Sequence, residues 1–165
     1  MNLSPEAEWI GAVSHPVEIK GGGVDVTLAI TSEGQKKLTA WAATPATVAE
    51  GHIYLALETI RGTRDASILK IYISLPESAF RDNRDRFLAG SVGLFGLRRA
   101  SAGVGESMGP GLDLLLDITP TVSSIQGAKV SEIQEIHLAI VPEVELPELS
   151  VIMINRISLY LEKVR

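Results

Sequence analysis

The chain contains no cysteine. Disulfides, thiolate metal sites and cysteine nucleophiles are thereby excluded. Aromatics are scarce as well, with two Trp, three Tyr and three Phe in 165 residues. A core must come from Leu, Ile, Val and Ala, and stacking on a sugar ring has few side chains to draw on. Positive charge is short: 15 Lys and Arg face 20 Asp and Glu, for a net charge of −5. Such a balance argues against a nucleic-acid binder, which needs a basic face. Long apolar runs are missing too. The greasiest stretch, Leu149 to Leu161, is interrupted by Asn155 and Arg156, and a membrane helix needs roughly 18 or more apolar residues. The first residues, MNLSPEAEWIGAV, hold no basic segment followed by an apolar run. A soluble protein without a membrane span, located in the cytoplasm, is the expectation.

What the chain does have is hydrophobic residues, 45% of the total, and a period of two. Val24, Val26, Leu28 and Ile30 alternate with Asp25, Thr27 and Ala29. Leu69, Ile71, Ile73 and Leu75 alternate with Lys70, Tyr72 and Ser74, and Leu112, Leu114, Leu116 and Ile118 with Asp113, Leu115 and Asp117. Val151, Met153, Ile157, Leu159 and Leu161 share one parity. Alternation puts one side of each strand in a core. Further strands are expected at Ile53–Ile60, Ser91–Arg99 and Ile136–Val141. The second of these is apolar on both parities, which predicts a central strand covered on both faces. Turn signals at 21–23, 61–65, 75–78 and 141–149 separate the strands. Together these predict one all-β domain over 1–165, an antiparallel β-sandwich of jelly-roll type. Two short helices are expected within it. SEGQKKLTAWAA, about 32–43, has Ser32 as a cap and Gln35 at the capping-box position. PTVSSIQ, about 120–126, places Pro120 where a first helical turn accepts it.

One stretch spells an enzyme motif. Residues 105–109, GESMG, match G-x-S-x-G, the nucleophile elbow that exposes a serine oxygen. Asp113, Asp117 and His137 follow in the hydrolase order, so a small serine hydrolase using Ser107 is one reading. An elbow needs a helix directly after the serine, however, whereas Pro110-Gly111 and an alternating strand come next. That reads as a hairpin, and four glycines at 103, 105, 109 and 111 suit a flexible connection. The glycines are not followed by GK[ST], so a phosphate loop is not indicated. His15, His52 and His137 belong to no ligand spacing, and Glu143, Glu145 and Glu148 lack the spacing of a calcium loop. Neither a metal nor another cofactor is expected. Asp113 and Asp117 share a strand face about 13 Å apart, beyond the roughly 5 to 9.5 Å of glycosidase pairs. Arg61, Arg64, Arg98 and Arg99 fall at predicted strand ends. Pairing with Asp65 and neighbouring acids is the favoured reading, since exposed ion pairs are common and weak; the sharper one is a contact patch for an acidic partner, with Ser107 and Met108 of the loop as further partner contacts.

Three runs carry a resemblance: Y-L-x-L-E-x-I-x-G-x-x-D from Tyr54 to Asp65, G-S-V-x-L-F-G from Gly90 to Gly96, and I-x-R-I-S-L-Y from Ile154 to Tyr160. With their surroundings, about residues 9–162, they resemble the C-terminal β-domain of long bacterial tyrosinases. More distantly they are similar to the C-terminal domain of plant polyphenol oxidases. The resemblance implies that copper chemistry belongs to a separate helical domain, so no catalytic or copper-binding residue carries over. It implies a non-catalytic module that covers, stabilises or assembles with a partner, such as a tyrosinase-like copper domain in trans or a second copy of itself. A module for a sugar or another small ligand is the remaining alternative.

Overall fold

The computed structural model describes residues 2–43, 51–64, 68–74, 86–103, 105, 107–124 and 133–163. Asp65, the turn at 75–78 and residues 125–126 of the second expected helix lie outside these. The elements are β1 (Glu8–Ala12), β2 (Val17–Ile19), β3 (Val24–Ile30), α1 (Ser32–Ala43), β4 (Gly51–Gly62) and β5 (Ile68–Ser74). They continue with β6 (Phe87–Gly93), α2 (Leu97–Ser101), β7 (Leu112–Asp117), α3 (Thr119–Ser124), β8 (Glu135–Pro142) and β9 (Ile152–Lys163).

The period of two becomes burial. In β3, Val26, Leu28 and Ile30 are buried while Asp25, Thr27 and Ala29 are exposed. In β5, Leu69, Ile71 and Ile73 are buried. Burying each such aliphatic side chain contributes roughly 1.5–3 kcal/mol. The fold is mainly β and antiparallel, as the pattern predicts. Its strands form one nine-stranded sheet in the order β6-β5-β8-β3-β1-β9-β4-β7, with β2 added beside β9. The spine is the pair β4 and β9, in register from Gly51 opposite Lys163 to Gly62 opposite Ile152. The sheet curls around a single aliphatic core until its edges approach. Leu116 of β7 fills the space above Gly90 of β6, and α3 contacts both β4 and β6.

The helix at 32–43 forms as expected, but its cap is one residue earlier. The Gly34 amide donates to Thr31 Oγ1 at 2.9 Å, and the Gln35 amide to the Thr31 carbonyl at 2.8 Å. Thr31 wins because its own amide and hydroxyl also donate to the Ile10 carbonyl, tying the helix start to β1. The second helix is α3, which starts at Thr119. Its first turn is held by Asp117 Oδ1, which accepts from the Thr119 amide at 2.9 Å.

The strand expected over Ser91–Arg99 is corrected. β6 ends at Gly93 and lies at an edge of the sheet, and Leu97–Ser101 is the helix α2. Its two apolar parities serve two jobs: Val92 is buried on the strand, and Leu94 and Leu97 are buried at the turn into the helix. The hairpin expected around GESMG is corrected with it. β7 pairs with β4 and not with β6, so the connection is strand, helix, loop, strand.

Candidate functional site

The register of the strands puts one set of connections at a single end of the sheet. Gly62 faces Ile152, Leu112 faces Ile60, Ile68 faces Gly93, Leu69 faces Pro142 and Val24 faces Ile140. The segments 20–23, 63–64, 94–103, 107–111 and 143–151 therefore all emerge at this end. Every residue suggested for partner contact is found here. Arg61 is the penultimate residue of β4, Arg64 follows the strand, Arg98 and Arg99 lie on α2, and Ser107 and Met108 lie in the loop between α2 and β7.

The loop is built rather than slack. The Gly109 amide donates to the Ser101 carbonyl at 3.1 Å and the Gly111 amide to the Ala100 carbonyl at 2.9 Å, so the end of α2 is capped by the loop. Arg61 Nε donates to the Gly109 carbonyl at 2.8 Å. Ser101 Oγ donates to Leu97 O at 2.6 Å and accepts from the Gly62 amide at 2.9 Å, joining α2 to the end of β4. The glycines allow close backbone approach. A Cβ at Gly103 would run into the Ser107 carbonyl, and one at Gly109 into the Ala100 and Ala102 carbonyls. Ser107 is exposed at the tip.

Apolar side chains stand out into solvent around this frame. Phe95 is 69% exposed, Met108 74%, Val144 78% and Leu149 98%. Leu149 is also held at a φ of 70°, a left-handed conformation that non-glycine residues rarely adopt. Aromatic side chains, Met and Arg are enriched at interfaces relative to the rest of a protein surface. Of these, Met108 was legible from the sequence. Phe95, Val144 and Leu149 were missed. Phe95 was absorbed into a supposed strand, and the other two lie in a stretch read only as a turn. The flanking Gly93 and Gly96 were the signal that could have freed Phe95.

The hydrolase constellation does not assemble. His137 Nε2 donates to Glu135 Oε1 at 3.1 Å on β8. Asp113 Oδ1 accepts from the Thr59 amide at 2.7 Å, and Asp117 Oδ2 accepts from His52 Nδ1 at 3.1 Å. None of these bonds leads to Ser107. Nor do the three histidines converge, since His15 Nδ1 donates to the Pro16 carbonyl. Among the described residues no three His, Asp or Glu side chains are arranged to hold a metal ion.

At the opposite end of β4, His52 stacks on Tyr54 with ring centroids 5.8 Å apart. Burial raises the Tyr54 phenol pKa above its ordinary value, and the carboxylates of Asp117 and Glu162 raise it further. Burial alone would also raise the Asp117 carboxyl. The hydrogen bonds from the Thr119 side chain and backbone and from His52 outweigh it and hold the group below its usual range.

Comparison with known proteins adds two findings. The family described as "Domain of unknown function (DUF7868)" matches residues 6–162. The tyrosinase HcTyr1 of Hahella sp. (strain CCB-MM4) is 26% identical over 113 residues, which cover 68% of this chain and 24% of that protein. The similarity is thus to part of a tyrosinase. Among the described residues no helix is long and apolar enough to cross a membrane.

Proposed function

Since the chain belongs to the DUF7868 domain family and is similar to about a quarter of a tyrosinase, we propose that it is a non-catalytic module that docks onto another protein through its loop end. The observation carrying this reading is the exposure of Phe95, Met108, Val144 and Leu149 at the same end of the sheet as Arg61, Arg98 and Arg99, where Arg61 braces the loop after α2. A rigid frame lowers the ordering cost of binding, and large apolar groups supply the affinity. The favoured partner is a tyrosinase-like copper domain, whose surface the module covers or stabilises. Self-assembly through the same end is the competing outcome.

The test is a titration of the purified chain into the Hahella tyrosinase from which the matching segment has been deleted, with light scattering on each component alone. Saturable 1:1 binding that weakens on Phe95→Ser or Met108→Ser supports docking. A concentration-dependent dimer sensitive to the same changes supports self-assembly. A chain that stays monomeric and leaves the copper domain unchanged in mass, activity and stability counts against the proposal.

A further inference from the structure

A second feature lies elsewhere, on the outer face of β3, β8 and β5. A cavity of about 250 Å³ opens there, lined by Asp25, Thr27, Ser74, Arg86, His137 and Ala139 among others. Register builds it. Thr27, His137 and Ser74 form one row across the three strands, and Asp25, Ala139 and Tyr72 form the next. Neighbouring strands are about 4.8 Å apart, so the backbones at Asp25 and Tyr72 are separated by about 10 Å. Only the methyl group of Ala139 stands between them. The Arg86 guanidinium lies over the Tyr72 ring, 4.9 Å from its centroid, and so is held at the rim.

Among the described residues, the two charges that line this cavity, Asp25 and Arg86, have no ion-pair partner, and they do not pair with each other. His137 is oriented by its bond to Glu135, and the hydroxyls of Thr27 and Ser74 flank it. A simple anion would be drawn by Arg86 but repelled by Asp25, and a simple cation the reverse. A small molecule carrying both charges is attracted by both groups. We propose that the cavity is a binding site for a small zwitterion of the free α-amino-acid class. The carboxylate sits against Arg86 and the hydroxyls, and the ammonium against Asp25. This site shares no residue with the loop end and stands or falls separately from it.

The experiment is an amide NMR titration of the full chain with each of the common free L-amino acids, to about 10 mM, the weak-binding range. At least one is expected to shift Thr27, Ser74, His137 and Ala139 saturably. Its N-acetyl and C-amide derivatives should bind about tenfold more weakly or worse, since each lacks one charge. Asp25→Asn and Arg86→Gln should each cause a similar loss while the rest of the spectrum is unchanged. Ala139→Leu should block the cavity outright. No saturable shift with any amino acid overturns the proposal. So does equal binding of the N-acetyl derivative, which would make this an anion site, and so does unchanged binding by both charge variants.

Discussion

Arg61 Nε donates to the Gly109 carbonyl at 2.8 Å, joining the end of β4 to a loop 48 positions later in the chain. This bond makes Arg61 a brace of the loop end. Arg61→Ala is expected to cost about 1–2 kcal/mol, toward the low end for a hydrogen bond to a charged group because the site is only partly buried. Exchange of the Gly109 and Gly111 amides should accelerate more than exchange in β4. Arg61→Lys should not restore protection, because an ammonium does not reproduce the planar guanidinium donor. Urea unfolding and hydrogen exchange on the three proteins check this.

The glycine-rich loop gives a sharper contrast. A side chain at Gly109 would meet the Ala100 and Ala102 carbonyls, whereas one at Gly22 meets nothing within 4 Å. Gly109→Ala should destabilise the fold by about 1–3 kcal/mol, as overpacking does. Gly22→Ala should stay within about 0.5 kcal/mol of the parent. Equal midpoints in thermal unfolding would show that the loop yields freely.

The cap of α1 separates two adjacent hydroxyls. Thr31→Ala removes the acceptor for the Gly34 amide and should cost about 1 kcal/mol. Ser32→Ala should cost about 0.5 kcal/mol or less. Denaturant unfolding of the two variants distinguishes them.

Acid stability tests Asp117. Its folded-state pKa lies below the ordinary carboxylate value, despite burial, because Thr119 and His52 hydrogen-bond the charged form. A depressed pKa contributes stability that is present above the unfolded-state value of about 4 and is lost as pH falls through the folded-state value. Asp117→Asn should therefore be less stable than the parent near neutrality, and the difference should shrink below about pH 4. Solvent exposure keeps the effect modest. A gap that widens in acid would contradict the assignment.

How much of this could be read from the chain follows from what each signal encodes. Alternation in 24–30 and 69–74 reports burial on one face, and β3 and β5 appeared where that period was clean. The same rule failed at 91–99, because an apolar run has no period, and its buried residues Val92, Leu94 and Leu97 belong to a strand, a turn and a helix. β1 and β2 were not read as strands, since each is short and is fixed by pairing with the distant β9. The arginines and Met108 of the loop end were legible as types. Their convergence was not, because it depends on Gly62, Gly93 and Pro142 ending, and Leu112 beginning, their strands at one level, a property of register. The Asp25 and Arg86 cavity was invisible for the same reason, as its members meet only across three strands.

The most direct measurement of the docking account is hydrogen exchange on the chain, alone and in complex with a tyrosinase copper domain lacking its own matching segment. The account predicts protection concentrated in 94–111 and 143–151, with little change on the outer face of β3, β5 and β8. Protection confined to that outer face, or none in the loop end of a complex shown to form, would contradict it.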